Sequence, residues 1–301
     1  MATPLERAPD DLVPSRDVWL KREDQHELGA FKWRAALPVV EEYARGGAPA
    51  VVTASTGNHG VATAWACGQA NVRAIVYAPE GASAAKVELL RRMAAEVRFV
   101  DGDLDDAKER ARADAGLWGL PFFEDGAEPL QYRAYEAIGD ELAEQLTSAP
   151  GAVVVPVGNG ALLAGLGRAI GRHFPAAVRV GVVAKEAPVM ADSWEAGRPV
   201  AGQASNTIAD GLAVRVAIPA AVEALRAAAD RMLRVSEREL AEAIGDLARA
   251  GIRVEAGAAA PLAALRQLHD VSGRIVLLIS GRNVDEELWQ RAASDPSSFP
   301  A

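Results

Sequence analysis

The chain has 301 residues, half of them hydrophobic and 24% charged, enough apolar material for a sizeable core and too much for a disordered, collagen-like or coiled-coil chain. A formal charge of −9 argues against general attraction to nucleic acid or an anionic membrane, and no apolar run reaches the roughly 18 residues a spanning helix needs. The single cysteine, Cys67, excludes an internal disulfide framework and a cysteine-built zinc cluster; with no basic-then-apolar leader in MATPLERAPDD, a cytosolic protein is expected.

In chain order, short β-branched runs alternate with alanine-rich helical stretches. A helix carries Lys32, followed by a strand over 50–54, a helix over 60–69 and a strand over 73–78. Helices are expected over 83–96, 105–116 and 132–146, then a strand over 153–157, a helix over 162–173 and a strand over 178–184. Ser236 with Glu239 forms a capping box that opens a helix over 237–249, and RIVLLIS supplies a last strand over 274–279. Apolar strands alternating with helices predict an α/β fold of parallel sheets with helices on both faces. The tail 294–301, with two prolines and three serines, is expected to fray.

In open α/β sheets ligands collect at the carboxyl ends of strands. Four strand ends are rich in glycine and polar residues: ASTGNHG, PVGNGA, EAGAAA and SGRN. One of the five lysines, Lys32, lies between Phe31 and Trp33, where an amine could be desolvated and made nucleophilic. By itself, a lysine on an amphipathic helix is the plainer reading. Ser55-Thr56-Gly57-Asn58-His59 could turn main-chain N–H groups toward a carboxylate, or could simply cap a helix. Gly158-Asn159-Gly160-Ala161-Leu162 has the form of a phosphate cradle at a helix start, without the lysine of a P-loop or a clean GxGxxG. Ser280, at a strand end, could hydrogen-bond a neutral ring nitrogen.

Taken in order, these segments resemble the fold-type II pyridoxal-phosphate enzymes, in particular the serine/threonine dehydratase and serine racemase branch. The matching segments are Thr3-Pro4-Leu5, Lys21-Arg22-Glu23-Asp24, Gly29-Ala30-Phe31-Lys32-Trp33-Arg34, Ser55 to His59, Pro156 to Leu162, Thr207-Ile208-Ala209-Asp210-Gly211, Glu255-Ala256-Gly257 and Ser280 to Asn283. They keep the family's order and span nearly the whole chain.

The resemblance implies pyridoxal 5'-phosphate as cofactor and a tryptophan-synthase-β-like fold. A large domain of residues 1–46 and 128–301 would carry an inserted small domain, 47–127, with the cofactor between them. Lys32 would form the Schiff base, beside Phe31, and would then take the substrate's α-proton. Asn58 would face the phenolic oxygen; Gly158, Asn159, Gly160, Ala161 and Leu162 the phosphate; and Ser280 the pyridine nitrogen. Ser55, Thr56, Gly57 and His59 would border the substrate, His59 in a supporting role. A serine facing the nitrogen favours β-elimination over transamination.

The implied reaction is ammonia loss from a β-hydroxy amino acid such as serine or threonine, giving a 2-oxo acid. Three alternatives share the scaffold: a racemase using Thr56 as the opposite-face acid, a hydroxyaspartate dehydratase, and a β-replacement or threonine-synthase-like enzyme. Several positions depart from the family pattern. The tetraglycine loop has become Gly158-Asn159-Gly160-Ala161, and Ala134-Tyr135-Glu136-Ala137 falls loosely where relatives have Gly-Gln-Gly-Thr. The first acidic cation ligand of racemase-like relatives falls on Ala184, with Glu186 out of register, so no metal is assigned. Arg282 replaces a glycine; it either points to solvent, pairs with Asp285 or Glu286, or clamps a second acidic group on the substrate. A homodimer is expected from the family.

Overall fold

Valine-, isoleucine- and leucine-rich runs set between alanine-rich segments become strands buried on both faces. A computed structural model describes residues 2–82, 84–202 and 206–301. In chain order its strands are β1 (Leu5–Arg7), β2 (Val18–Arg22), β3 (Ala50–Ala54), β4 (Arg73–Pro79), β5 (Glu96–Val100), β6 (Ala152–Pro156), β7 (Val178–Ala184), β8 (Arg231–Val235) and β9 (Ile275–Ile279). The α-helices are α1 (Trp33–Arg45), α2 (Asn58–Gln69), α3 (Ala84–Arg92), α4 (Leu104–Trp118), α5 (Pro129–Gln145), α6 (Ala161–His173), α7 (Val189–Ala196), α8 (Pro219–Ala228), α9 (Glu237–Arg249), α10 (Ala256–Ala263) and α11 (Glu286–Ser294).

Two compact units result: residues 32–134, and residues 1–31 together with 135–301. The segment 47–127 lies inside the first of these, which begins at Lys32.

The larger unit holds a six-stranded sheet in the order β1-β2-β9-β6-β7-β8. All its neighbours pair in parallel except β1, which runs antiparallel to β2 because the short loop between them cannot carry a crossover. AVVVP of β6 and IVLLI of β9 are buried along their whole length. Val154, Val182 and Leu277 meet Leu240 and Ile244 of α9 and the small alanines of α10, whose lack of bulk lets that helix lie close on the sheet. The Ser236–Glu239 capping box forms as the spacing predicts.

The smaller unit is built on the parallel sheet β3-β4-β5. Val52, Ile75 and Tyr77 pack against Ala107, Ala111 and Ala115 of α4. Phe122 adds a single parallel bridge beside Val52, flanked by hydrogen bonds from Val52 N–H to Pro121 and from Phe123 N–H to Val52.

Two expectations are corrected. The helix expected over 83–96 ends at Arg92: Ala94 takes φ +58°, and EVRFV then pairs with β4 as β5. Its expected first residue, Ser83, lies outside the described residues. The tail does not fray. Phe299 is buried under Arg291, and Arg238 N–H donates to the carbonyl of Pro300, so one aromatic side chain anchors the end. Among the described residues, no helix is long and apolar enough to cross a membrane, and no group of three His, Cys, Asp or Glu side chains is placed to hold a metal ion.

Candidate active site

In the smaller unit, Lys32 stands at the N-cap of α1, its side chain 13% exposed. The partial positive charge of a helix N-terminus repels an ammonium, so a lysine here needs a counter-charge. Asp125 supplies it, with Oδ2 2.5 Å from Lys32 Nζ. The other carboxylate oxygen accepts from Gln131 Nε2 at 3.1 Å, and Gln131 Oε1 in turn accepts from Gly126 N–H at 2.8 Å. Gln131 is fully buried. Burial pushes the Asp125 carboxyl up, but the Lys32 charge, with hydrogen bonds from Lys32 and Gln131, outweighs it and holds the group well below the usual carboxylate range.

His59 is buried, its Nε2 3.2 Å from the carbonyl oxygen of Phe123 and its Nδ1 3.7 Å from Asp125. Burial drives its imidazole below the ordinary 6.5; Asp125 opposes the shift and Lys32 adds to it. The neutral ring therefore donates from Nε2 to Phe123 and leaves Nδ1 unprotonated. His59 braces the turn that carries Asp125, edge-on to the Phe123 ring.

The loop before α2 is not an ordinary side-chain cap. Ser55 Oγ accepts from Gly57 N–H at 3.1 Å, and no side chain caps the helix start itself. Thr56 is half-buried, with its hydroxyl in no hydrogen bond among the described residues. A Cβ on Gly60 would lie 2.4 Å from the carbonyl oxygen of Ser55, so only glycine lets the helix start this close beneath the loop. Asn58 is the first residue of α2.

In the larger unit five motif segments meet in two groups. Residues 29–31 lie antiparallel on the end of β9: Ala30 bridges Gly281, Phe31 N–H donates to Ser280 C=O at 3.0 Å, and Arg282 N–H donates to Gly29 C=O at 2.8 Å. The residue preceding Lys32 is thereby tied to Ser280. On its other side Gly281 meets Glu255, whose carboxylate would lie 2.7 Å from an added Cβ. A Cβ on Gly158 would lie 2.3 Å from the carbonyl oxygen of Gly211, which seats the phosphate-cradle loop on the Thr207–Gly211 motif. Gly160 has φ +90°, and α6 starts at Ala161, whose N–H donates to Asn159 Oδ1 at 3.1 Å. Leu162 is buried in the first turn of α6. The Phe31 ring packs on Tyr135 with centroids 5.2 Å apart.

Arg282 does not pair with its acidic neighbours. Glu286 is taken by Arg253 at 2.8 Å, and Asp285 caps α11. The Arg282 guanidinium makes no ion pair or hydrogen bond among the described residues.

Each unit, taken by itself, carries groups that suit a phosphorylated pyridine aldehyde. Ser280 is 4% exposed, and its hydroxyl makes no hydrogen bond among the described residues. The 158–160 turn excludes a Cβ at Gly158, takes a left-handed backbone at Gly160, and lies at the positive end of a 13-residue helix. An amine is present in Lys32. The sequence reading did not single out Asp125 or Gln131: Asp125 follows the single bridge at Phe122, where PFF gives way to EDG, and Gln131 lies in the first turn of α5.

A family model described as "Pyridoxal-phosphate dependent enzyme" matches residues 1–281. An L-threonine ammonia-lyase of Geobacter sulfurreducens is 33% identical over 89% of this chain and 67% of its own length. Another, of Thermotoga maritima, is 32% identical over 93% of this chain and 70% of its own. The processed form of threonine deaminase isoform 2 from Solanum lycopersicum superposes with a TM-score of 0.92 at 26% identity, covering 99% of this chain and 89% of that one.

Proposed function

As a member of the pyridoxal-phosphate dependent enzyme family, this chain is an enzyme that uses pyridoxal 5'-phosphate, and we propose that it is an ammonia-lyase converting a β-hydroxy amino acid such as serine or threonine to a 2-oxo acid and ammonia. The observation that supports the reading is Ser280: it follows β9, is 4% exposed, and its hydroxyl makes no hydrogen bond among the described residues, so a hydroxyl rather than a carboxylate is on offer to the ring nitrogen.

When bound, the cofactor supplies the electron sink for a carbanion at the substrate's α-carbon. The chain's residues do the rest. Lys32 is the nucleophilic amine that holds the cofactor, and once displaced its Nζ takes the α-proton. Gly158, Asn159, Gly160, Ala161 and Leu162 offer main-chain N–H groups to the phosphate, aided by the α6 dipole. Asn58 donates to the phenolic oxygen. Ser280 hydrogen-bonds the ring nitrogen without protonating it, which favours loss of a β-substituent. Ser55, Thr56 and Gly57 hold the substrate carboxylate through their N–H groups and hydroxyls, and His59, two residues on, borders the substrate in a supporting role while it braces the Asp125 turn through Phe123.

A racemase reading is kept because the Thr56 hydroxyl makes no hydrogen bond among the described residues and could act as an acid on the second face. A preference for 3-hydroxyaspartate is kept because Arg282 has no carboxylate partner among them. One panel separates the three: 2-oxo acid, ammonia and enantiomer formation from L- and D-serine, L-threonine and 3-hydroxyaspartate, with wild type, Thr56→Ala and Arg282→Gly. The proposal expects oxo-acid release from serine or threonine and no racemisation. Inversion without elimination, abolished by Thr56→Ala, would establish the racemase instead. If Arg282 clamps a second carboxylate, Arg282→Gly lowers kcat/KM for 3-hydroxyaspartate about ten- to a hundredfold relative to threonine; an unchanged ratio removes that role. Cytosolic residence and a homodimer belong to the same reading, and light scattering should give twice the chain mass of 31.6 kDa.

A further inference from the structure

We propose that Asp125 is the residing place of Lys32 whenever the lysine is free: a positioning residue that holds the amine off the cofactor and so eases its displacement. The inference rests on the reading that Lys32 carries the cofactor.

Lys32 Nζ lies 2.5 Å from Asp125 Oδ2, the charge-assisted contact that an ammonium makes with a carboxylate. The carboxylate is not a chance surface partner. Its Oδ1 is braced by the buried Gln131, which is itself fixed by Gly126 N–H, so Oδ2 is presented to the lysine in one direction. His59, the other ring near the carboxylate, is neutral and brings no competing cation. The N-terminus of α1 repels a free ammonium at Lys32, and Asp125 cancels that repulsion.

A group that stabilises one of two states shifts the balance between them by its differential interaction alone. Asp125 pairs with the lysine that is free, so it lowers the fraction of apoprotein ready to capture an aldehyde and weakens the apparent hold on the cofactor. The same preference favours a substrate amine when it competes with Lys32. Asp125 thereby exchanges cofactor affinity for ease of turnover, a function distinct from bracing the fold.

The test is equilibrium titration of the apoproteins of wild type, Asp125→Asn, Asp125→Glu and Gln131→Met. Two ligands are used: pyridoxal 5'-phosphate, and pyridoxine 5'-phosphate, the alcohol that cannot draw the lysine away. Asp125→Asn should bind the aldehyde about tenfold more tightly, the size of a lost charge-assisted contact, while binding the alcohol unchanged. Asp125→Glu, which keeps the charge, should return toward wild type. Gln131→Met, which leaves the carboxylate without its brace, should shift the aldehyde in the same direction by a smaller factor, and it carries the test alone if Asp125→Asn does not fold. Weaker aldehyde binding in Asp125→Asn, or equal shifts for both ligands, overturns the inference. Borohydride trapping of the bound aldehyde on a lysine other than Lys32 overturns the underlying reading as well, so the two failures are distinguishable.

Discussion

Lys32 and Asp125 show how unevenly single residues were legible. Lys32 stood out because lysines are few and its flanks are aromatic, and Ser280 because it closes an apolar strand. Asp125 is one of many acidic residues in the sequence, and only the fold sets it 2.5 Å from the lysine. His59 was read as a supporting residue, and its burial against Phe123 gives that reading a measurable consequence. Its imidazole titrates below the ordinary 6.5 in the folded chain and regains that value on unfolding. Between the two values the unfolded chain holds the extra proton, so stability is complete above about pH 6.5 and is lost as pH falls below it. The slope reaches at most about 1.4 kcal/mol per pH unit for one proton. Thermal unfolding of wild type and His59→Gln between pH 7.5 and 5.5 checks this: the variant's midpoint should fall less steeply, and parallel curves would mean that His59 titrates alike in both states.

Among elements, those with hard physical boundaries were read to the residue. Strands β3 and β7 agree at both ends because β-branched runs open just after a proline-containing stretch and close at polar Ser55 and Lys185, and α9 agrees because its capping box fixes where it starts. Strand β5 was hidden by composition: EVRFV follows a charged helical stretch, and only the left-handed Ala94 separates the two. Strands β1 and β8 are short or half-exposed and gave no apolar run to read. Gly158 and Gly57, both read as loop glycines, differ in kind. A Cβ at Gly158 would lie 2.3 Å from the carbonyl oxygen of Gly211, whereas one at Gly57 would meet only Ser55 Oγ at 4.0 Å. Gly158→Ala should therefore push two motif loops apart, costing about 1–3 kcal/mol of stability as overpacking does. It should also weaken binding of pyridoxine 5'-phosphate by the apoprotein at least about tenfold, the loss expected for displaced charge-assisted phosphate contacts. Gly57→Ala should leave both nearly unchanged. Melting curves and titrations decide, and equal effects in the two variants would contradict the distinction.

For the molecule as a whole, alternation of strand and helix was enough to give the α/β class, but not the sheet order. Strand β2 pairs with β9 from the far end of the chain, and no local pattern announces that register. Such pairing closes a very long loop before any contact rewards it, so the larger unit needs both ends of the chain to complete its sheet. The chain passes from one unit to the other at the peptide bond before Lys32. The residue on one side of that bond is tied to Ser280, and the residue on the other to Asp125. Lys32, at that junction, is the lysine proposed to hold the cofactor. Borohydride reduction of the purified, cofactor-loaded enzyme, followed by peptide mass mapping, tests this most directly. A phosphopyridoxyl mass on the peptide containing Lys32, absent from Lys32→Ala, is the predicted result. The same mass on Lys21, Lys86, Lys108 or Lys185, or its persistence in Lys32→Ala, would contradict it.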